Sequence, residues 1–308
     1  MMSDVITPDA FAGMLRIATP LILVAMGGLM CQRANILNIS VEGAMLMGGF
    51  CAIISIDFFG SNAFAIFAGI LGGAAMSLLF ALFIIKFNAN QILSGLAVNY
   101  MSAGMTTFLL YPMFGLRGGF RPDNMQMLPK VDAPFLQNAP VLNTVLNDHT
   151  ITVYFGLIMV VVTSIILFYT PFGLKVRSVG ESVDAVRTSG VNAERIQLYA
   201  IIWCGVMCGI AGAHLTTGYA SEFTDSITQG RGYTAFSAVI FGNANPFYCF
   251  LACLVFGFAD VIGIRFDLAN VGISPAIIKM FPYTLAIIAL ASSSFVRKYR
   301  LSSVTDLN

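Results

Sequence analysis

The chain has 308 residues, of which 57% are hydrophobic and only 10% are charged, and its mean hydropathy is +0.83. Soluble domains average about 25% charged residues, so this composition excludes an ordinary soluble enzyme and a disordered chain. The formal net charge of +1 leaves no basic surface for a phosphate backbone, so we expect no nucleic-acid partner. A membrane-spanning helix needs about 20 apolar residues. We therefore predict an all-α, polytopic membrane bundle of about eight to ten helices, including short or broken ones.

Apolar runs follow one another along almost the whole sequence and predict a single transmembrane domain over residues 1–308. The predicted spans are 13–31, 40–59, 62–87, 91–112, 151–170, 197–217, 231–243, 247–264 and 272–295. The seventh run is only about 20 Å long as a helix, which favours a partial helix over a full crossing. Glycine- and alanine-rich stretches at 69–75 and 205–212 let helices approach closely, which predicts a compact bundle.

A short polar segment, residues 35–43, interrupts the first two spans. Irregular backbone at membrane depth persists only where protein buries it or where it lines a water-filled path. Glu42 therefore has two interpretations. It is either a first-turn carboxylate of its own helix, with Asn38 and Ser40 as caps, or a group on the solute path.

Two polar loops separate the spans, at residues 113–150 and 171–196. The positive-inside rule places the second loop and the C-terminal tail in the cytoplasm and the first loop outside the cell. With this orientation most basic residues are cytoplasmic: Arg33, Lys86, Lys175, Arg177, Arg187, Arg195, Arg297, Lys298 and Arg300. Within the second loop, residues 182–190 predict a short helix, with Ser182 as N-cap and Gly190 as its C-terminal stop.

The sequence lacks the motifs of a catalytic or nucleotide-binding site. Its only histidines are His149 and His214, and it contains no HExxH, GxSxG or GxxxxGK[ST] motif. The pairs Cys204/Cys208 and Cys249/Cys253 lack accompanying ligands, so we predict packing residues rather than a metal site. The chain is thus expected to be neither an enzyme nor a holder of its own cofactor.

Polar and aromatic residues inside the spans are candidates for a translocation path, because such side chains prefer the bundle interior to lipid. The set comprises Asn38, Glu42, Ser94, Asn99, Tyr100, His214 and Phe236. Asp260 and Lys279 lie on neighbouring predicted spans and can form a salt bridge.

Several segments, in order, resemble the permease subunits of ribose- and nucleoside-type ABC importers. They are Asn38-Ile39-Ser40-Val41-Glu42-Gly43, the run from Gln91 to Asn99, Gly173 to Glu181, and Gly230-Arg231-Gly232-Tyr233 continuing to Asn245-Pro246. The resemblance covers about residues 18 to 295 and is strongest to nucleoside or simple-sugar permeases that work with a basic-membrane-protein-type binding lipoprotein.

This resemblance implies a multi-pass protein of a bacterial plasma or inner membrane that imports a nucleoside or simple sugar. It implies an ATPase partner that binds ATP and Mg²⁺, a second permease subunit, an extracytoplasmic substrate-binding protein, and surrounding lipid. The coupling helix would include Gly180, Glu181, Ser182, Asp184, Ala185, Arg187 and Gly190. An ion-coupled secondary transporter is the alternative, although the sequence shows no clear internal repeat.

Overall fold

The computed structural model describes residues 8–268 except 124, 126, 133–142 and 146, together with the isolated residues 280 and 284. The helices are α1 (Pro8–Arg33), α2 (Val41–Phe59), α3 (Asn62–Ala81), α4 (Gln91–Phe114), α5 (Ile151–Tyr169), α6 (Pro171–Glu181), α7 (Val183–Thr188), α8 (Ala193–Ala213), α9 (Arg231–Phe241) and α10 (Pro246–Leu268). Two π-helical segments extend α3 over Leu82–Lys86 and α8 over His214–Ala220.

Seven helices in this described part are long and apolar enough to cross a membrane: α1 to α5, α8 and α10. They correspond to predicted spans one to six and eight, and the short seventh run forms the 11-residue helix α9. The predicted membrane bundle is therefore confirmed. The ninth predicted span, 272–295, lies outside the described residues except for 280 and 284, and so does Lys279.

Helix α1 occupies the centre of the bundle. In its most apolar 18-residue stretch 89% of the residues are buried, against 33% in α4 and in α5. Helices α8, α9 and α10 pack directly against α1. Helices α4 and α5 lie at the periphery and carry exposed apolar side chains such as Leu93, Phe108 and Val161, as expected for surfaces in contact with lipid or another subunit.

Helices α2, α3 and α8 are in backbone contact, as the two glycine-rich stretches predict. A Cβ added to Gly48 would lie 2.7 Å from the Cα of Gly209. A Cβ added to Gly73 would lie 2.6 Å from the backbone nitrogen of Gly209. Real Cβ atoms do not approach so closely, so any side chain here would push the helices apart. Since lipid provides no hydrophobic drive for helix association, this close van der Waals contact is what holds the three helices together.

Two small antiparallel ladders lie at the predicted outer ends of the helices. Strand β1 (Gly119–Phe120) pairs with β4 (Phe223–Thr224), and β2 (Lys130–Val131) pairs with β3 (His149–Thr150). The first ladder reaches the core through Phe223, whose ring lies 5.3 Å from that of Phe50. The first ladder thus ties the 113–150 loop to the segment that follows α8, and the second joins two parts of this loop to each other.

The segment predicted as a polar loop at 171–196 is mostly helical, which corrects that prediction. Helix α6 fills its first half: Thr170 caps it by accepting a hydrogen bond from the Gly173 nitrogen, and Val176 and Val179 are buried. The predicted short helix is present as α7. Ser182 is its N-cap, accepting from the Ala185 nitrogen at 3.3 Å, and Gly190 follows with φ of +81°.

Candidate functional site

The centre of the candidate site is the N-terminus of the short helix α9, which Glu42 of α2 caps. Its Oε1 accepts from the backbone nitrogen of Gly230 at 2.9 Å, and its Oε2 accepts from that of Gly232 at 2.7 Å. A Cβ on Gly232 would lie 2.6 Å from Oε2, so this close approach requires glycine. Glu42 therefore acts as a helix-capping carboxylate, but for a helix about 190 residues away along the chain.

Capping by Glu42 answers a definite electrostatic need. The first nitrogens of a helix have no intrahelical acceptor, and the aligned peptide dipoles give that end a partial positive charge. Within a bundle there is little water to accept hydrogen bonds from these nitrogens or to screen the partial charge. The half-buried carboxylate accepts two of these N–H groups and carries the opposite charge, so the start of α9 is fixed against α2.

Asn99 of α4 joins the same cluster from the other side. Its Oδ1 accepts from the Gly43 nitrogen at 2.7 Å, and this bond satisfies the N-terminus of α2. Its Nδ2 donates to the carbonyl of Ile39 at 3.0 Å and to the hydroxyl of Tyr233 at 2.9 Å. One buried amide thus connects α4, the linker before α2, and α9.

The linker between α1 and α2 is irregular, mostly buried backbone, which is one of the two situations considered for residues 35–43, and residues 41–43 already belong to α2. Asn38 holds its turn: Oδ1 accepts from the Ser40 nitrogen at 3.1 Å and from its hydroxyl at 2.6 Å, and Nδ2 faces the sulfur of Cys204 at 3.4 Å. Ser40 is the N-cap of α2 but makes no side-chain cap hydrogen bond. The expectation of Ser40 as a cap is therefore confirmed by its position, whereas Asn38 does not cap α2, and Asn99 supplies the side-chain acceptor for the start of this helix.

The α9 cluster lies at membrane depth. Asn99 is about 12 Å along α4 from Gln91, the first residue of that helix, at 1.5 Å per residue. From this level α9 runs about 16 Å to the turn beside Arg33, the last residue of α1. Helix α9 is therefore a half-helix that ends inside the bundle, a feature found where transporters line a solute site.

The other candidate residues do not all join this cluster. Ser94 is buried on α4 and Phe236 packs partly buried on α9, whereas Tyr100 is 74% exposed on the outer surface of α4. His214 belongs to a separate site, where its Nδ1 lies 2.6 Å from the Thr152 hydroxyl of α5. Of the seven predicted path residues, the structure brings together Glu42 and Asn99 through α9, with Asn38 in the adjoining linker.

A polar cavity of about 440 Å³ opens beside the N-terminus of α9. Its polar lining consists of Tyr219, Glu222, Thr224, Gln229, Arg231, Thr234 and Asp260. The guanidinium of Arg231 lies 5.7 Å from the centre of the Tyr219 ring. Carboxylates, hydroxyls, an amide and one cation thus meet in one space, next to the helix end that Glu42 fixes.

The opposite end of α9 is held by Arg33. Its Nε donates to the carbonyl of Ala244 at 2.8 Å and its Nη2 to that of Asn243 at 3.1 Å, in the turn that joins α9 to α10. The carbonyl of Arg33 in turn contacts Gly180 of α6 so closely that a Cβ on this glycine would overlap it. Arg33 therefore touches both the half-helix and the predicted coupling segment.

The predicted coupling residues lie together on α6, α7 and the turn after α7. Asp184 is 95% exposed, and Arg187 bonds to Glu194 Oε1 at 3.1 Å, which ties α7 to the start of α8. Helix α6 packs against α1, α5 and α8. The short helix α7 is therefore exposed, and the helix that precedes it, α6, contacts the central helix α1.

Sequence reasoning missed Arg33, Gly230, Gly232 and Tyr233 as parts of the site. The Gly230-Arg231-Gly232-Tyr233 run is notable in the sequence for its resemblance and as a flexible turn at the outer face, and Arg33 as a cytoplasmic base. A usable signal was present: two glycines that flank the start of a short apolar run indicate a helix N-terminus that a neighbour approaches closely.

Comparison with known proteins agrees with this architecture. The chain is 33% identical over 283 residues to the guanosine ABC transporter permease protein NupQ of Bacillus subtilis, covering 89% of this chain and 88% of that protein. It is 30% identical over 289 residues to the nucleoside ABC transporter permease protein NupC of Lactococcus lactis, covering 91% and 90%. A solved structure described as an inward-facing metal-chelate type ABC transporter matches with a TM-score of 0.52 at 14% identity, covering 90% of this chain and 85% of that one.

The solved structure supports the fold alone, because its identity to this chain is low. The family assignment comes from the sequence, since one family model matches almost the whole described bundle. Residues 10–290 match the model for the permease component of branched-chain amino acid transport systems, and the chain therefore belongs to this ABC transporter permease family.

Proposed function

We propose that this chain is one membrane-spanning subunit of an ABC importer that moves a nucleoside across the membrane, with a simple sugar as the alternative solute. Two relatives that match about nine-tenths of the chain at 30–33% identity are a guanosine and a nucleoside permease, which supports this choice. The solute crosses unchanged. A partner ATPase supplies the energy, a binding protein delivers the solute, and a second permease subunit completes the pore.

The observation that carries the proposal is the half-helix α9 with its fixed N-terminus beside the polar cavity. A half-helix that ends inside a membrane bundle costs free energy unless its end groups are satisfied, and Glu42 satisfies them. Such broken helices mark solute sites in many transporters. The predicted path residues Glu42 and Asn99 then act by positioning α9, while the cavity receives the solute.

The chemistry of the cavity suits an uncharged polyhydroxyl solute. Glu222 and Asp260 can accept hydrogen bonds from sugar hydroxyls, and Thr224 and Thr234 can both donate and accept. Two carboxylates against one guanidinium leave the lining without the excess positive charge that a phosphate group would need. We therefore expect nucleosides to be preferred over nucleotides.

The exposed helix α7 is the proposed docking element for the ATPase. It has a polar surface, a defined N-cap at Ser182, and an ion pair from Arg187 to Glu194 that holds it against α8. ATP-driven movement at α7 would change access to the solute cavity by switching the bundle between two arrangements.

Transport in proteoliposomes tests the proposal. The chain is reconstituted with its ATPase, second permease and binding protein, and uptake of labelled guanosine, ribose, glucose and guanosine monophosphate is measured. We expect ATP-dependent uptake of guanosine, and no uptake of the monophosphate. Uptake driven by a proton or sodium gradient without ATP would overturn the proposal in favour of an ion-coupled transporter, and uptake of sugar alone would select the alternative solute.

A double variant tests the proposed docking of α7 on the ATPase. Asp184→Arg combined with Ala185→Glu should abolish uptake and lower solute-stimulated ATP hydrolysis, while the bundle still folds, because both side chains lie on the exposed helix. Normal uptake by this double variant would remove α7 from the docking interface.

A further inference from the structure

Helix α9 is held at both ends by charges from one short stretch of chain. Glu42 accepts the N–H groups at its N-terminus, and Arg33 donates to the carbonyls of the turn that follows its C-terminus. A carboxylate at the positive end and a guanidinium at the negative end both complement the helix dipole. Residues 33–42 therefore form a cradle for α9, and any shift of this cradle must shift the helix.

The cradle is in backbone contact with the predicted coupling segment. Gly180, next to the last residue of α6, lies directly against the carbonyl of Arg33, with no space for a side chain between them. Helix α6 leads through Ser182 into the exposed helix α7. A continuous physical route thus runs from α7 through α6 and Arg33 to the C-terminal turn of α9.

The surroundings of Arg33 leave space for relative movement. A polar cavity of about 440 Å³ lies among the ends of α1 and α6 and the turn after α9, and its lining includes Gln32, Arg177 and Asn243. Two buried atoms in this region, Gln32 Oε1 and Arg177 Nε, have no hydrogen-bond partner among the residues that the structure describes. At this cavity Arg33 contacts Gly180 of α6 through its carbonyl and the turn after α9 through its guanidinium.

We infer that Arg33 is the positioning residue that transmits movement of the ATPase-facing helices to the half-helix α9. When α6 moves, it displaces the Arg33 backbone, and the guanidinium carries the C-terminal turn of α9 along. Glu42 keeps the N-terminus against α2, so α9 pivots there, its C-terminal end moves most, and access to the solute cavity from that end changes. This role rests on the proposed ATP-driven transport but is independent of which solute is carried.

The test compares transport with ATP hydrolysis in the reconstituted complex. Arg33→Gln removes the charge, Arg33→Lys keeps the charge but not the paired donors, and Arg195→Gln removes an exposed arginine at the start of α8 as a matched control. We expect Arg33→Gln to hydrolyse ATP while uptake per ATP falls about fivefold or more, within the range of typical coupling between sites. Arg33→Lys should fall between wild type and Arg33→Gln, and Arg195→Gln should match wild type.

A second measurement follows α9 itself. Ile240→Cys places a thiol on the exposed side of α9, and its rate of reaction with a maleimide is compared with and without ATP. We expect ATP to change this rate by twofold or more in the otherwise native chain and not in the Arg33→Gln background. This readout separates a transmission role from a merely structural one, which would lower the yield of folded protein without abolishing the response.

Gly180→Ala supplies an independent variant should Arg33→Gln fail to fold. It leaves the guanidinium in place but forces α6 away from the Arg33 carbonyl, so uptake per ATP should fall, and the double variant should be no worse than the poorer single one. Additive losses, or unchanged uptake per ATP in Arg33→Gln or Gly180→Ala, would overturn the inference. Absence of ATP-driven uptake by the wild-type complex would instead overturn the proposed function.

Discussion

Replacing Glu42 provides the most direct measure of how strongly the bundle holds its half-helix. Glu42→Gln keeps the size of the side chain and one acceptor oxygen, but it places an NH₂ group where Oε2 now accepts from Gly232. Two N–H groups then face each other at a position where the acceptor distance is 2.7 Å. The variant therefore loses one charge-assisted hydrogen bond, leaves a backbone donor unpaired, and loses the favourable interaction of the charge with the helix dipole.

The magnitude follows from these three losses. An unpaired buried donor costs about 1–3 kcal/mol, and the dipole interaction contributes about 0.3–1 kcal/mol. We expect Glu42→Gln to lower the free energy of unfolding by about 1–4 kcal/mol in total, a large fraction of typical protein stability. Glu42→Asp keeps the charge but draws it back by one methylene, so its loss should be smaller.

The assay is thermal unfolding in detergent, followed with a thiol-reactive fluorescent dye. The chain suits this method because its six cysteines are free and five of them are fully buried, so the dye reacts as the bundle opens. If Glu42→Gln melts within a degree of wild type while Glu42→Ala also remains stable, the carboxylate does not support α9 and the capping interpretation is wrong. A stable Glu42→Gln variant with altered solute preference would place Glu42 on the solute path instead.

Five further variants test other parts of the structure by the same melting assay. Asn99→Ala leaves the partners of one buried amide unpaired and should cost about 2–5 kcal/mol, whereas Tyr233→Phe removes one of its bonds and should cost about 1 kcal/mol. Gly73→Ala forces α3 away from α8 and should cost about 1–3 kcal/mol, while Gly104→Ala, with open space around it, should not destabilise the bundle. Burial lowers the pKa of His149 below its usual 6.5, so stability should fall as pH drops below about 6.5 towards that lowered pKa. His149→Gln, which can still accept from Arg16 and donate to the Val145 carbonyl, should flatten this pH dependence; an unchanged pH profile would contradict the assignment.

Hydropathy and glycine content were sufficient to predict the bundle. The spans from α1 to α5, α8 and α10 each contain about 20 or more residues of dominant apolar character, and such runs have few alternatives in a membrane. The glycines at 69–75 and 205–212 predicted a close contact, and Gly73 and Gly209 do meet in backbone contact. These features are properties of one segment at a time, so a single sequence carries them.

Helix α6 shows where local signals were present but conflicting. Gly173 and Gly180 disfavour a helix, and Lys175 and Arg177 made the segment look like a solvated loop. Thr170 followed by Pro171 is nevertheless a typical helix start, and Val176 and Val179 lie on one face. The two glycines are required by packing rather than by a turn of the chain. Gly173 lies against backbone carbonyls of α5, and Gly180 lies against the carbonyl of Arg33 in α1.

The partner of Glu42 could not be read from the sequence, because it depends on contacts between segments far apart. Helix amphipathicity identifies which residues face inward, but not which helix end they meet. A half-helix has an unusual requirement: the end that lies inside the bundle needs polar partners where water is scarce, and the other end must be held at the edge of the bundle. The chain meets both needs from one ten-residue stretch, with Arg33 and Glu42 at its two ends. Because the same stretch touches α6 through the Arg33 backbone, the groups that stabilise α9 are also those best placed to move it.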